Sequence, residues 1–475
     1  MKKLSELYPG YPDIMINDIK INSKDVHEND LFVCIMGVTA DRHDYVDEAI
    51  SNGAVAIVAS HEINVNVPVI YVSDTNKELV SLCKKFYDNP DDELDIIGIT
   101  GTNGKTTVAS IIKDLMGDNC GYMGTNGIAS KIFKQKIRNT TPDADRLYKY
   151  FRKFVDAECE YLAMEASSEA FFRNRLADIM FKVGIITNIT EDHLNIHKTI
   201  ENYVAAKEEI INHIKEDGVL ILNTDDKYYE EIKDKANCNI LSFGKNNADL
   251  EIVKTKEYVN KTEITIKYKD SIYNITSPLL GEFNVYNLCA AILCLLFLGK
   301  TMEEIIDNLS NIIVPKGRME FLKYRDDYNI IIDYAHTPDA FKKIYEFLNK
   351  VKTGRIITVT GSAGGREHKK RKDMGKLVLD NSDYVIFTMD DPRGEDVNEI
   401  IDELVSATQK DNYERIIDRK EAIYKALEMA TNKDIILIAG KGDDDYMAIG
   451  EEYIPYEKDE NVVLTYFKTK YYSEL

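Results

Sequence analysis

An apolar run at 94–100 passes directly into Gly-Thr-Asn-Gly-Lys-Thr-Thr at 101–107, and a helical pattern follows at once. A strand that hands the chain to a glycine-rich loop and then to a helix is the core of a parallel α/β sheet, so this junction restricts the fold more than any other segment. It also carries chemistry. Gly101 and Gly104 permit close backbone approach, and a helix N-terminus directs N–H groups at an anion. In such a cradle Lys105 reaches the β- and γ-phosphates of a triphosphate, and the Thr106 hydroxyl is placed to hold Mg²⁺. The glycine spacing departs from the common GxxxxGK[ST] form, because Ile99 stands where that form has glycine. A plain glycine-rich turn would not require the Lys-Thr-Thr that follows.

Motors, transporters, kinases and ligases all bind ATP, so the rest of the chain must choose among them. The formal charge of −21 argues against nucleic acid or an anionic membrane as partner. Anionic substrates must then be met by local cations. Seven cysteines, at 34, 83, 120, 159, 238, 289 and 294, form no CxxC pair and several lie in apolar runs, as thiols of a reducing compartment do. The N-terminal residues lack the apolar core of a signal peptide, and the most apolar stretch, 288–299, is about half of what a membrane span needs. A cytoplasmic monomer with no membrane span is expected.

At 475 residues the chain exceeds one ordinary core, and roughly 150 residues per domain suggests about three. Short strand-like pieces at 30–36, 54–59 and 68–72 and a helix-like segment near 45–52 form residues 1–93. A charged joint at 89–93 precedes the unit 94–315, where strands at 94–100, 161–165, 183–188 and 218–223 alternate with helices and 248–278 forms an antiparallel extension. In 316–475, four strands at 328–333, 355–360, 383–388 and 434–439 each run into a polar or glycine loop. Those loops belong at the carboxyl edge of a sheet, where open α/β folds bind ligands.

Glu165 ends the strand 161–165 where many ATPases place a metal-binding acid. Asp192 and His193 offer a weaker, second possibility, since capping explains most such pairs.

GTNGKTT is one of many motifs in a fixed order: NTTPDA at 139–144, MEASS at 164–168, TNITEDHLNIHKTIENYVAAK at 187–207, GEFNVYN at 281–287, GRME at 317–320, DYAHTPDA at 333–340, GSAGGRE at 361–367, DDPR at 390–393 and AGKG at 439–442. This series resembles the Mur ligases over essentially the whole chain, and most of all their tripeptide-synthetase branch. The resemblance implies a three-domain α/β architecture: a UDP-binding domain at 1–93, an ATP-binding domain with a P-loop-type parallel sheet at 94–315, and a Rossmann-like amino-acid-binding domain at 316–475. It implies an ATP- and Mg²⁺-dependent amide ligase of peptidoglycan precursor synthesis that adds the third peptide residue to UDP-N-acetylmuramoyl-L-alanyl-D-glutamate through an acyl phosphate.

The site residues follow from the same resemblance. Gly101, Thr102, Asn103, Gly104, Lys105, Thr106 and Thr107, with Asn287, Arg318, Asp333 and His336, are implied for ATP. Thr106, Glu165, His193 and Lys207 are implied for the metal, with Lys105, Glu165, His193 and Lys207 as the catalytic group. Read alone, Lys207 is an ordinary surface lysine; the resemblance makes it a carbamylated metal ligand. Ile21, Ser23, Val38, Thr39, Ala40, Asn139, Thr140, Thr141, Ser167, Arg173 and Arg175 are implied for the nucleotide-sugar peptide, although Glu169 and Arg173 depart from the family's usual His and Gln.

For the incoming amino acid the resemblance implies Arg366, Asp390, Asp391, Pro392, Arg393, Gly440 and Asp444. Diaminopimelate-adding relatives commonly carry Asp-Asn-Pro-Arg, whereas this chain has Asp391 for the Asn, and Asp443-Asp444 where they usually have His-Glu. Acids facing the pocket favour a distal ammonium, so L-lysine is expected ahead of meso-diaminopimelate. Arg393 could reverse that order, or could pair with Asp391. Folylpolyglutamate-type and cyanophycin-type ligases are alternatives that the N-terminal segments and NTTP weigh against. A non-ligase ATPase would turn over ATP without a carboxylate or amine substrate.

Overall fold

The computed structural model describes residues 1–36, 41–137, 139–192, 194–324, 328–365 and 368–472. They form two compact units, Met1–Glu251 with Asn287–Asn311, and Ile252–Tyr286 with Ile312–Leu475.

The first unit opens with a four-stranded parallel sheet in the order Ile19–Lys20, Asp30–Val33, Ala54–Ala59, Val69–Tyr71. The strand read at 30–36 stops at Val33, and Met36 retains only an isolated bridge to Asp41. The helix Thr75–Phe86 follows, its Asp74 cap accepting from the amides of Asn76 and Lys77.

A larger sheet places Asp95–Thr100 between Tyr161–Glu165 and Phe181–Ile186, all three parallel. Ile96, Ile97, Ile99, Val183 and Ile185 are fully buried, the continuous apolar pattern of strands covered on both faces. The third strand starts two residues earlier than its sequence pattern indicates, and its neighbour Ile214–Asn223 four earlier; a register shift between Phe181 and Val183 lies where they meet. Register matters most for the site. Ile99 lies opposite Glu165 and Thr100 opposite Ile186, so the three strands end level and deliver 101–107, 165–168 and 187–192 to one edge.

The second unit contains the antiparallel pair Lys261–Tyr268 and Ser271–Ser277, with Ile264 opposite Ile275. Its main sheet runs Glu320–Tyr324, Tyr328–Asp333, Ile435–Ala439, Ile356–Thr360, Tyr384–Phe387, Tyr413–Arg415, parallel except for the first pair. Apolar clusters cover both faces. One includes Phe341, Ile344 and Leu348 from the helix Pro338–Val351 and the other Ala422, Ile423 and Leu427 from Arg419–Met429, a doubly wound layer arrangement.

The apolar stretch near 288–299 falls mostly in the helix Glu282–Phe297, and no helix among the described residues is long and apolar enough to cross a membrane. The seven cysteines are unpaired, and all but Cys238 are buried.

Candidate functional site

The loop after Asp95–Thr100 is held open by its neighbours. Thr102 N–H donates to Asn188 O at 2.8 Å, Asn103 N–H to Asn188 Oδ1 at 3.1 Å, and Thr187 Oγ1 to Asn103 O at 2.6 Å. Gly101 (φ 145°) and Gly104 (φ 90°) take conformations that disfavour a side chain. A Cβ on Gly101 would lie 1.9 Å from Thr187 Oγ1, and one on Gly104 would lie 2.3 Å from Asn287 Oδ1. Asn287 therefore sits against the loop. Gly101→Ala is expected to lower stability by about 1–3 kcal/mol through forced repacking, seen as a lower denaturant midpoint, and to weaken ADP binding. Unchanged values for both would contradict the tight fit.

Lys105 opens the helix Lys105–Met116, and its Nζ folds back to donate to Gly101 O (2.8 Å) and Thr102 O (3.1 Å). Thr106 and Thr107 are buried in the first turn. Glu165 is fully buried; its Oε1 accepts from Tyr122 OH (2.8 Å) and Thr125 N–H (2.9 Å), and its Oε2 from Thr125 Oγ1 (3.1 Å). These donors fix the carboxylate's orientation at the strand end.

Lys207 is not a surface lysine. It is 1% exposed on the helix Ile200–Glu208, with Nζ 4.5 Å from the Tyr203 ring centroid, and Tyr203 OH lies 3.2 Å from Thr102 Oγ1. Desolvation, with the Lys105 charge adding to it, pushes the Lys207 ammonium well below its usual range, and Asp192 opposes the shift. A lowered proton affinity makes an amine a better nucleophile toward CO₂. His193 lies outside the described residues.

Among the residues expected for the nucleotide-sugar peptide, Thr141 donates its hydroxyl to Glu165 O (2.8 Å) and accepts from Ser167 N–H (3.1 Å), while Arg175 Nη1 donates to Thr141 O (3.1 Å). Ser167 caps the short helix Ser168–Phe172. These three and Glu165 thus share one network. Thr140 Oγ1 lies 3.2 Å from Thr125 Oγ1, a second link to Glu165. The departures from the family pattern pair with each other, Arg173 Nε lying 2.8 Å from Glu169 Oε1. Ile21 and Asn139 line one cavity, whereas Ser23 is buried and donates to Glu48 Oε2 at 2.5 Å. Val38, Thr39 and Ala40 lie outside the described residues.

Asp41, His43 and His61 bring three donor atoms close together, yet His43 cannot offer a lone pair. Its Nε2 accepts from Ser60 N–H (3.0 Å), so Nδ1 carries the proton and donates to Asp41 Oδ1 (2.6 Å).

In the second unit Asp333 ends its strand with Oδ2 accepting from Met319 N–H and Oδ1 from Ala335 N–H, both at 2.7 Å; burial raises its pKa. The Arg318 guanidinium lies 4.8 Å from the Tyr334 ring centroid, and the His336 ring centroid lies 5.1 Å from it. Arg318, Asp333 and His336 are thus gathered around Tyr334.

The loop 390–393 is strained and braced. Asp391 (φ 44°) and Arg393 (φ 52°) adopt left-handed conformations, and Arg393 N–H donates to Ala448 O (2.9 Å). Asp390 is buried, which pushes its carboxyl up to about 6 against the pull of Arg419 and Lys441. Gly440 brings its backbone against this carboxylate, a Cβ there lying 2.1 Å from Asp390 Oδ2.

Here the structure removes the charge argument that was offered for L-lysine. That reading needed Asp391 and Asp444 to await a substrate ammonium. Instead Lys441, 1% exposed, donates to Asp391 Oδ1 (2.7 Å) and Asp444 Oδ2 (3.2 Å), and Ala448 N–H also donates to Asp391 Oδ1 (2.9 Å). The protein supplies its own cation. Arg393 does not pair with Asp391; its Nη1 donates to Gly364 O at 3.3 Å, and among the described residues it makes no ion pair. Arg366 lies outside the described residues.

The 361–365 and 390–395 loops are tied by an arginine that the sequence reading missed. Arg371 is 1% exposed and forms two bonds to Glu395 (2.6 and 3.0 Å) and one to Ala363 O (3.0 Å); Glu395 Oε1 also accepts from Gly365 N–H (2.5 Å).

Family models match in the same order as the motifs: the Mur ligase family catalytic domain at 15–91, the Mur ligase middle domain at 99–295 and the Mur ligase glutamate ligase domain at 317–442. A curated relative from Clostridium acetobutylicum, UDP-N-acetylmuramoyl-L-alanyl-D-glutamate–2,6-diaminopimelate ligase 2, is 39% identical, with 96% of each chain covered. The chain belongs to the Mur ligase family.

A second relative of this Mur ligase, a 2,6-diaminopimelate ligase from Fusobacterium nucleatum, is 39% identical over 92% of this chain and 91% of its own. A solved UDP-N-acetylmuramoyl-L-alanyl-D-glutamate–2,6-diaminopimelate ligase superposes with TM-score 0.69 at 26% identity, covering 98% of this chain and 99% of the other. A MurF ligase from Thermotoga maritima in complex with ADP shares the fold, with TM-score 0.68 at 21% identity and coverage of 98% and 100%. The protein is an ATP-dependent ligase of peptidoglycan synthesis with the three-domain Mur ligase fold.

Tyr122, Thr125, Thr187, Asn188, Tyr334, Arg371, Glu395 and Lys441 are the organising residues of this Mur ligase that sequence reasoning did not single out. Thr187 and Asn188 had a signal, being the first polar residues after an apolar strand adjacent to the loop. Lys441 had one too, inside a quoted motif.

Proposed function

We propose that this Mur ligase joins meso-diaminopimelate to UDP-N-acetylmuramoyl-L-alanyl-D-glutamate in the cytoplasm, using ATP and Mg²⁺. The observation that carries the choice of amino acid is Lys441. With Asp391 and Asp444 already bonded to a buried ammonium, the loop's remaining cation is Arg393, which suits a distal carboxylate better than a distal ammonium. The names of the relatives point the same way.

In the first step the substrate carboxylate attacks the γ-phosphorus of ATP, an acyl phosphate forms and ADP leaves. The amino group then attacks the acyl carbon, loses a proton, and phosphate departs with the bonding electrons. Lys105 and the loop amides counter charge on the transferring phosphoryl group. Thr106, Glu165, His193 and carbamylated Lys207 would hold Mg²⁺, an oxygen-rich donor set that fits a hard cation. When bound, the ion neutralises the approaching anions. Arg318, Asp333 and His336 are assigned to the adenosine end, and Arg366 to a carboxylate of the amino acid.

The test is an amino-acid panel with ATP and the UDP-muramoyl dipeptide, read by product mass. Diaminopimelate should show the highest kcat/KM. Arg393→Ala should lower it about 10²-fold for diaminopimelate and little for lysine, as loss of a charge partner does. A wild type that prefers lysine would overturn the assignment.

A further inference from the structure

Arg393 is exposed, yet its guanidinium has a defined resting place. Nη1 donates to Gly364 O at 3.3 Å, and a Cβ on Gly365 would lie 3.5 Å from the same nitrogen, so the group lies along the backbone of 364–365. That backbone is tied to the loop that carries Arg393. Gly364 N–H donates to Asp391 O (2.9 Å), Gly365 N–H to Glu395 Oε1, and Glu395 N–H to Pro392 O (3.0 Å). A Cβ on Gly364 would lie 1.9 Å from Pro392 O, so the two loops meet backbone to backbone.

Arg371 supplies the fixed point. It stands on the helix His368–Asn381, whose Met374, Val378 and Leu379 are buried in the core. Its Nη1 donates to Glu395 Oε2 (2.6 Å) and Glu403 Oε2 (3.1 Å), and its Nη2 to Ala363 O (3.0 Å) and Glu395 Oε1 (3.0 Å). The Arg371 guanidinium, with Gly365 N–H adding to it, holds the Glu395 carboxyl down to about 2, so both partners are charged at neutral pH. A planar fork bonded to both loops fixes their spacing, which the single ammonium of a lysine cannot reproduce. We infer that Arg371 and Glu395 are positioning residues for amino-acid selection: acting through Arg393, they hold its guanidinium ready for the distal carboxylate. The inference rests on the reading of the incoming amino acid as meso-diaminopimelate. A free arginine loses rotamer freedom when it binds an anion, and one already held in place loses less. The gain therefore belongs to binding of the amino acid, and the phosphoryl transfer that precedes it should not depend on the pair.

The experiment compares the full chain with its Glu395→Ala and Arg371→Lys variants, using meso-diaminopimelate and L-lysine, which is the same molecule without the distal carboxylate. Glu395→Ala should raise KM for diaminopimelate about tenfold, the upper range for ordering one side chain on binding, with kcat little changed. KM for lysine, for ATP and for the UDP-muramoyl dipeptide should hold, as should acyl-phosphate formation trapped without amino acid. Arg371→Lys should act in the same direction. If Arg371→Lys does not fold, Glu395→Ala still decides, because Glu403 remains to pair with Arg371. A folded Glu395→Ala enzyme with an unchanged KM for diaminopimelate overturns the inference alone. So does an equal rise in KM for both amino acids, ATP and the dipeptide, the mark of a loosened fold. A wild type that prefers lysine overturns the underlying reading and this inference with it.

Discussion

Lys105→Ala is expected to slow acyl-phosphate formation roughly 10²–10³-fold, the usual consequence of removing one preorganised charge contact from a transferring phosphoryl group. The fold should survive, because losing the bonds from the Lys105 ammonium to the carbonyls of Gly101 and Thr102 costs about 1 kcal/mol. Thr187, Asn188 and the two glycines would still shape the loop. Trapping the acyl phosphate with hydroxylamine in the absence of amino acid isolates this step. Normal trapping by a folded Lys105→Ala enzyme would remove the residue from phosphoryl transfer.

Lys207→Ala should be nearly inactive, by about 10²-fold or more if a charged group beside the metal is lost. Burial lowers the proton affinity of this amine, which favours attack of its lone pair on CO₂, with loss of a proton, to leave a carbamate. Three results separate this role from packing against Tyr203. Small carboxylates should partly rescue Lys207→Ala. Lys207→Met, which keeps the stem, should remain inactive. Stripping CO₂ from the wild-type preparation should lower activity, and bicarbonate should restore it. An active Lys207→Met enzyme would show that the side chain only fills space.

The α/β fold was legible because buried parallel strands leave continuous apolar runs, such as 94–100, and because the phosphate loop announces its own junction; the level strand ends depend on register, which the structure supplied. Motif order revealed the family. What stayed hidden was pairing. Nothing local distinguishes Lys207 from a lysine in water, since its burial depends on Tyr203 and on the loop around Thr102. Charge at the amino-acid loop was incompletely legible for a related reason. Counting Asp391 and Asp444 as unpaired omitted Lys441, fifty residues from Asp391 in sequence and 2.7 Å from it in space. Side-chain identity gives the charge of a pocket only after the partners are known.

Arg371 has a consequence for how selectivity can change. Because one buried guanidinium bonds to Glu395 and to Ala363 O, the loop that leads to Arg366 and the loop that bears Arg393 share an anchor. A substitution that shifts either loop is transmitted to the other, so mutations across the two will combine non-additively. Descent toward a different amino acid would then proceed by paired replacements, with the order of their appearance constrained, rather than by independent single steps.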